Sequence, residues 1–321
     1  MLTSVLPFTP EMAATVTQYC TEHSTDVSPE MKEVWDWTCG EFEDADKMSS
    51  PLQGTTMKFL ASWAGAKRVL EFGAYSGYSA LAWYEATKQT QAEIITLELD
   101  PKMIAATRTT IAKYNLGDRL TVIEGPAQQS VEKLTGMFDI IFVDANKDGY
   151  LGYVKAVLDQ KLLSPKGLIM CDNVFARGMT ISTESNPQLP DKVRPYWTEC
   201  GKALQKFNTY VKNDPRIDVV LLPVYDGVNI SFKLAAAERP PGGAGRKPVG
   251  GHAEGADARR HVAAAVVAGF GASAEMQPAR EPPRCRVGVY ARAPRRVDQL
   301  GAPGTPPPSP PGMRPAMTGC A

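Results

Sequence analysis

Three oxygen-bearing side chains directly follow two predicted strands and could together bind a divalent cation. Asp144 comes directly after the apolar run Phe138–Val143, and Asp172 and Asn173 come directly after Gly167–Cys171. Carboxylate and amide oxygens suit Mg²⁺, which keeps its other positions for water and substrate oxygens. Asp and Asn are common turn residues, so either position alone is weak evidence. Their placement after successive strands is more specific and predicts a magnesium site.

Lys147 stands three residues beyond Asp144 and is the candidate general base. A hydroxyl bound to a divalent cation ionises more readily, and a lysine beside it can remove the proton. The alternative is a structural ion pair, because Lys147 has acidic neighbours at Asp144 and Asp148. His23 is the only histidine before residue 235, which argues against Ser-His-Asp chemistry and histidine-rich metal sites there.

A glycine-rich turn between a predicted strand and a predicted helix indicates a cofactor site. The segment Glu71–Ser79 reads EFGAYSGYS, with glycines that allow close backbone approach and a helix start that offers free N–H groups. Glu98 lies near the end of the next strand, where an acidic side chain can accept both hydroxyls of a ribose, in NAD or in S-adenosylmethionine. The GxxxG spacing differs from GxGxxG and disfavours an NAD-dependent oxidoreductase, which stays as the alternative.

These residues can meet only if the strands before them lie side by side in one sheet. Helical and strand patterns alternate along the chain, which predicts a doubly wound, mostly parallel, Rossmann-like α/β sheet. The last two strands, Asp218–Pro223 and Val228–Leu234, have no helix between them, so an antiparallel hairpin is expected at one edge. The pattern also predicts short elements at Ser130–Leu134 (helix), Tyr150–Leu163 (helix) and Gly167–Cys171 (strand). Trp63 and Trp83, in helices flanking the sheet, are expected to pack in the core.

Composition divides the chain into a domain at residues 1–234 and a tail at residues 235–321. The tail holds 14 of the 26 prolines and is rich in glycine, alanine and arginine, so it is predicted to be disordered. Its net charge is +6, whereas residues 1–234 carry a net charge of −6. The acidic domain gives no reason to expect a nucleic-acid partner.

Nothing in the sequence predicts export or a membrane partner. Residues 1–20 lack the basic segment of a signal peptide, and no apolar run approaches ~18 residues. The six cysteines are scattered without a CxxC pair. These features are typical of a cytoplasmic protein.

At the residues named above, the chain resembles the caffeoyl-CoA and catechol O-methyltransferase family. The resemblance runs from about Tyr19 to Leu234 and combines seven motifs, which is more specific than any single one. The motifs are SPLQG (Ser50–Gly54), EFGAYSGYS (Glu71–Ser79), TLELDP (Thr96–Pro101), EGPAQ (Glu124–Gln128), FVDANKDGY (Phe142–Tyr150), CDNV (Cys171–Val174) and YDGVNI (Tyr225–Ile230).

The resemblance implies an S-adenosylmethionine-dependent O-methyltransferase that uses Mg²⁺ or another divalent cation. It implies transfer to a small phenolic, catechol-like or caffeoyl-like acceptor, with Lys147 as catalytic base, and a homodimer. The metal ligands would be Asp144, Asp172 and Asn173. The cofactor contacts would be Ser49, Glu71, Gly73, Ala74, Ser79, Glu98, Ala127, Gln128, Asp144 and Asn146, with Glu98 at the ribose and Ala127 and Gln128 beside the adenine.

Four residues, at three places in the chain, depart from the family's pattern. Leu52 and Gln53 stand where the plant enzymes have two acids, and Asn146 stands where they have a second aspartate. Asn229 stands where the catechol enzymes have a carboxylate that binds the second hydroxyl, which weakens the expectation of strict catechol specificity. A non-catalytic, decayed cofactor-binding module is the second alternative, and the intact set of Asp144, Lys147, Asp172 and Asn173 argues against it.

Overall fold

The computed structural model describes residues 9–184 and 186–233 of the 321-residue chain. The α-helices in this part are α1 (Pro10–Glu22), α2 (Pro29–Glu41), α3 (Pro51–Ala64), α4 (Tyr78–Ala86), α5 (Pro101–Lys113), α6 (Ala127–Val131), α7 (Tyr150–Asp159) and α8 (Arg194–Asn213). The strands are β1 (Arg68–Phe72), β2 (Glu93–Glu98), β3 (Leu120–Glu124), β4 (Phe138–Val143), β5 (Leu163–Cys171), β6 (Ile217–Leu222) and β7 (Val228–Lys233).

The strands form one seven-stranded sheet in the order β3-β2-β1-β4-β5-β7-β6. The first five strands pair in parallel, whereas β7 runs antiparallel to both β5 and β6. The predicted fold, a mostly parallel sheet with a C-terminal antiparallel hairpin, is confirmed. The chain order reverses between β1 and β4, and open α/β sheets bind ligands in the crevice at such a point.

Several helices begin with a capping side chain followed by proline. Ser28, Ser50 and Asp100 each precede a proline, and each side chain accepts a hydrogen bond from a backbone N–H in the first helical turn. The cap satisfies a donor that would otherwise lack a partner, and proline fits the first helical position. The helices α2, α3 and α5 therefore begin at defined residues beside the sheet.

Apolar side chains cover both faces of the sheet. Val69 and Phe142 lie on the face packed by α2, α3 and α4, while Leu70 and Val143 lie on the face packed by α6, α7 and α8. Alternation along β1 and β4 sends successive side chains to opposite faces. The strands are therefore fixed in register by burial on two sides.

One of the two tryptophan predictions is confirmed and the other is wrong. Trp83 is fully buried, but Trp63 is 70% exposed. The buried face of α3 consists of Gln53, Gly54, Met57 and Ala61, and Trp63 lies off that face. The face of α3 that carries the small residues Gly54 and Ala61 packs inward because it allows close approach to neighbouring elements. The large indole of Trp63 therefore stays exposed.

The predicted boundaries of three elements also need correction. The helix expected to reach Leu163 ends at Asp159, and Lys161 has a left-handed backbone conformation with φ of 60° that a helix cannot continue through. The strand expected to begin at Gly167 begins at Leu163, which pairs with Phe138 before a register shift. The short helix predicted at Ser130–Leu134 is instead α6, which starts directly after Pro126.

The helices in the described part of the chain include none long and apolar enough to cross a membrane. The tail at residues 235–321 lies outside the described residues, so its predicted disorder stays a prediction.

Candidate active site

The glycine turn after β1 and the aspartate after β4 meet at the point where the strand order reverses. Gly73 has φ of 94°, and a Cβ atom added there would lie 2.6 Å from the backbone oxygen of Asp144. The Asp144 N–H donates to the Phe72 oxygen at 2.9 Å. Only glycine allows this close approach, so Gly73 fixes the spacing between the predicted cofactor turn and the predicted metal site.

Glu98 is bound to the glycine turn by backbone hydrogen bonds. Its Oε2 atom accepts from the N–H groups of Ala74 and Tyr75, both at 3.0 Å. Its Oε1 atom accepts from Leu99 N at 2.7 Å and from Asp100 N at 3.0 Å. The carboxylate therefore has one orientation at the mouth of the turn, and its ribose contact stays a prediction.

Glu71 lies fully buried beneath the same turn. Thr96 Oγ1 donates to its Oε2 atom at 2.6 Å, and Trp83 Nε1 donates to its Oε1 atom at 3.0 Å. Burial raises the pKa of Glu71 to about 7, although the donors Thr96, Ser79 and Trp83 oppose the shift. The carboxyl group therefore changes charge readily near neutral pH, and its contact with the cofactor stays a prediction.

The side chains at the ends of β4 and β5 converge on one ammonium group. Lys147 Nζ donates to Asp144 Oδ1 at 2.9 Å, to Asn173 Oδ1 at 2.9 Å and to the Tyr150 hydroxyl oxygen at 2.8 Å. The Lys147 side chain is only 9% exposed. A base candidate and two metal-ligand candidates, which the sequence places up to 29 residues apart, therefore share one partly buried cluster.

Asp172 lies beside this cluster and has donors on both carboxylate oxygens. Asn173 N donates to Oδ1 and Gln53 Nε2 donates to Oδ2, each at 2.7 Å. Burial and the nearby Asp144 charge raise the pKa of Asp172 to about 7, while Lys147 and Gln53 oppose the shift. Burial also raises the pKa of Asp144, against the effect of Lys147. Asp172 is buried and Asp144 is partly buried, and two neighbouring carboxylates removed from water in this way favour a bound cation.

The donor chemistry of the cluster fits Mg²⁺. Asp144, Asp172 and Asn173 supply hard oxygen donors, and Asp144 and Asn173 already surround a positive charge in the Lys147 ammonium. Across residues 9–184 and 186–233, no three His, Cys, Asp or Glu side chains form a possible metal group. The predicted set depends on an asparagine oxygen as its third donor.

The other predicted cofactor residues lie around the glycine turn and on the next loops. Ser49 and Ser79 are both buried, one just before α3 and one in the first turn of α4. Ala127 and Gln128 begin α6 after β3. Asn146 is exposed, and its Oδ1 atom accepts from the Tyr153 hydroxyl at 2.6 Å.

Sequence reasoning missed two polar residues of the cluster. Tyr150 is fully buried; its hydroxyl accepts from Lys147 and donates to the Asp172 backbone oxygen at 2.9 Å. Its position three residues beyond Lys147 was a usable signal, because that spacing brings side chains together in a helical turn. Gln53 lies 119 residues from Asp172 along the chain, and only its place in the SPLQG motif pointed to the site.

Asn229 lies in β7 directly opposite Cys171, the residue before Asp172. Its side chain is buried, and its Oδ1 atom accepts from Ser231 Oγ at 2.9 Å. The position beside the metal-ligand candidates is therefore occupied by a neutral amide.

Known proteins resemble this chain over the same residues that form the sheet and the site. Residues 21–234 match the model of a family described as O-methyltransferase. The O-methyltransferase ankF of Aspergillus thermomutatus is 38% identical over 232 residues, which cover 72% of this chain and 97% of that protein. Caffeoyl-CoA O-methyltransferase 1 of Eucalyptus globulus is 29% identical over 188 residues, or 57% of this chain and 73% of that protein.

A solved structure shares the fold at higher identity. The SAH-bound methyltransferase PaMTH1 of Podospora anserina superposes with a TM-score of 0.72 at 57% sequence identity. The match covers 73% of this chain and 100% of that chain. The matched share corresponds in size to the domain predicted at residues 1–234.

Proposed function

This chain belongs to the O-methyltransferase family, and we propose that it methylates a small phenolic acceptor from S-adenosylmethionine with the help of a divalent cation. Family membership confirms the resemblance seen in the motifs and argues against an NAD-dependent oxidoreductase. The observation that carries the proposed cation and acceptor is the partly buried cluster of Asp144, Lys147 and Asn173, with Asp172 beside it, next to the glycine turn.

The glycine turn and Glu98 support S-adenosylmethionine as the methyl donor. PaMTH1, at 57% identity, was solved with SAH bound. In this chain Glu98 is already oriented by the N–H groups of Ala74 and Tyr75 at the carboxyl end of β2. In Rossmann-like folds, a carboxylate at the end of the second strand accepts the two ribose hydroxyls. Ala127 and Gln128, at the start of α6, would lie beside the adenine.

Asp144, Asp172 and Asn173 would hold the divalent cation. Bound there, Mg²⁺ would lower the pKa of an acceptor hydroxyl and orient it. As the neutral amine, Lys147 would take the hydroxyl proton at Nζ, and the resulting phenolate oxygen would attack the methyl group of the sulfonium. The carbon–sulfur bond breaks as the carbon–oxygen bond forms, and S-adenosylhomocysteine leaves. Alignment of the two reactants by the site would supply part of the acceleration, up to ~7–11 kcal/mol in favourable cases.

The site favours an acceptor with two adjacent oxygens, since both can reach the same cation. Asn229 places a neutral amide, opposite Cys171, where the catechol enzymes have a carboxylate. An amide can bind a hydroxyl or a methoxy group, because it both donates and accepts hydrogen bonds. The second oxygen of the acceptor is therefore expected to tolerate methylation or other substitution.

We also propose that the chain forms a homodimer. The edge strand β6 exposes Val220 and Leu221, and α3 exposes Phe59 and Trp63. Large apolar side chains exposed on an edge strand favour association. Sedimentation equilibrium should give the mass of two chains at micromolar concentration, and a single-chain mass over the whole range would contradict the proposal.

A screen with labelled S-adenosylmethionine tests the proposed reaction. Each vicinal-diol phenol is paired with its analogue in which hydrogen replaces one of the two hydroxyls, and the labelled product is measured in the presence of Mg²⁺. The proposal predicts transfer to at least one diol and little transfer to its paired analogue. Cofactor binding without transfer to any acceptor would instead favour the decayed binding module.

A further inference from the structure

The side-chain amide of Gln53 contacts a predicted metal ligand across a long stretch of chain. Gln53 Nε2 donates to Asp172 Oδ2 at 2.7 Å, and the two residues are 4% and 3% exposed. We propose that Gln53 is a positioning residue, which fixes the orientation of the Asp172 carboxylate for the divalent cation. The inference rests on the metal site of the proposed function.

The first turn of α3 places the Gln53 side chain. Ser50 Oγ accepts from Gln53 N at 3.2 Å, which fixes the backbone at the start of the helix. A Ser-x-x-Gln sequence usually directs the glutamine side chain back to the N–H of the capping serine. Here the amide instead reaches Asp172, so a local capping interaction is replaced by a contact with the site.

Packing of α3 against α4 holds Gln53 in the position from which its side chain contacts Asp172. A Cβ atom added to Gly54 would lie 2.9 Å from the Tyr78 hydroxyl oxygen and 2.9 Å from Met31 Cε. The ends of the Tyr78 and Met31 side chains therefore fill the space beside Gly54, the residue next to Gln53. Because Gly54 and Tyr78 are both buried, the first turn of α3 has little freedom to move away from the sheet.

Two donors together determine how the Asp172 carboxylate lies. The Asn173 N–H donates to Oδ1 at 2.7 Å, and Gln53 donates to Oδ2. An ionised carboxylate has about four acceptor positions, so each oxygen keeps capacity for a cation. Without Gln53, the group is fixed at one oxygen only and can rotate about its Cβ–Cγ bond. The amide is neutral, so it orients Asp172 without adding a third negative charge beside Asp144.

Replacing Gln53 with methionine removes the donor and keeps a similar length and volume. Groups that orient metal ligands typically change metal affinity by about 10–100-fold when they are removed. We expect Gln53→Met to weaken Mn²⁺ binding, measured from the electron paramagnetic resonance signal of free Mn²⁺, by about 10–100-fold. The matched control is Gln205→Met on the exposed surface of α8, which should bind Mn²⁺ like the parent.

Calorimetry of S-adenosylmethionine binding to the same proteins distinguishes a loss confined to metal binding from general damage to the protein. We expect the cofactor affinity of Gln53→Met to match the parent's, because Gln53 contacts Asp172 and not the glycine turn. Parent-like Mn²⁺ affinity in Gln53→Met would overturn the inference while leaving the metal site standing. Equal loss of Mn²⁺ and cofactor affinity would also overturn it, since general damage would explain both. A parent protein that binds no Mn²⁺ would overturn the metal site and, with it, this inference.

Discussion

Lys147 Nζ lies 2.9 Å from Asp144 Oδ1, and the same nitrogen lies 2.9 Å from Asn173 Oδ1. The proposed base therefore contacts two of the three proposed metal ligands directly. Removing the base and removing a ligand should produce different defects, because one abolishes proton transfer and the other abolishes cation binding.

Lys147→Ala should lower kcat by about 10²–10⁴-fold if Lys147 is the base. The loss should shrink as pH rises, because an acceptor phenol ionised by solvent no longer needs a base. Lys147→Arg should show a similar loss, since arginine keeps the positive charge but does not accept a proton at working pH. The measurement is a pH–rate profile for each protein at saturating cofactor.

Lys166→Ala, at an exposed position on β5, is the matched control and should keep the parent's profile. A Lys147→Ala profile that overlays the parent's would remove the catalytic role of Lys147. In that case Lys147 would be a structural cation, and the metal site and the methyltransferase reaction would still stand.

Asp172→Ala should abolish metal-dependent activity while cofactor binding stays close to the parent's. Asp172 follows β5, whereas the glycine turn follows β1, and β4 lies between those two strands. Calorimetric titration with S-adenosylmethionine and an activity assay across a range of Mg²⁺ concentrations measure the two effects. A cofactor affinity that falls as far as the activity would contradict the assignment of Asp172 to the metal.

Glu71→Gln should flatten the dependence of stability on pH. The folded-state pKa of Glu71 is raised from an ordinary value of 4.5 to about 7 by burial. Its protonated form is therefore favoured in the fold, and the stability it contributes is present below pH 4.5 and lost as pH rises through 7. The parent should lose about 1–3 kcal/mol more unfolding free energy than Glu71→Gln between pH 5 and pH 8.

Urea denaturation at the two pH values gives the unfolding free energies. Asp172, which also has a raised pKa, is present in both proteins, so its contribution cancels in the comparison. Parallel stability curves for parent and variant would show that Glu71 does not titrate in this range.

A chain that ends at Leu234 should remain soluble and keep the parent's kcat. The removed residues 235–321 hold 14 of the 26 prolines, and their composition predicts that the domain does not depend on them. Side-by-side assays of the shortened and full-length chains measure the effect. Aggregation or loss of most of the activity would show that the tail stabilises the domain.

The sheet could be predicted because each parallel strand is a short apolar run followed by polar residues. Burial on both faces gives β1 and β4 that pattern, and the parallel arrangement places Gly73 and Asp144 at one edge. The prediction that Gly73 and Asp144 lie at one edge of the sheet therefore follows from local sequence patterns alone. The start of β5 could not be predicted, because Ser164 and Pro165 resemble a turn although they lie within the strand.

Contacts between distant segments of the chain could not be predicted from the sequence. The hydrogen bond between Gln53 and Asp172 depends on how α3 packs on α4, and nothing local to either residue encodes it. The exposure of Trp63 also depends on helix packing, since the small residues Gly54 and Ala61 determine which face of α3 packs inward. Side-chain identity set the chemistry of the site, whereas helix packing set which side chains meet there.

The rate of methyl transfer as a function of free Mg²⁺ tests the account most directly. The protein is treated with a chelator, and transfer from labelled S-adenosylmethionine to the best vicinal-diol acceptor is followed as Mg²⁺ is restored. The cluster of Asp144, Asp172 and Asn173 predicts a rate near background without the cation and full recovery on its return, with cofactor affinity unchanged. A rate that is the same with and without Mg²⁺ would contradict the proposed mechanism.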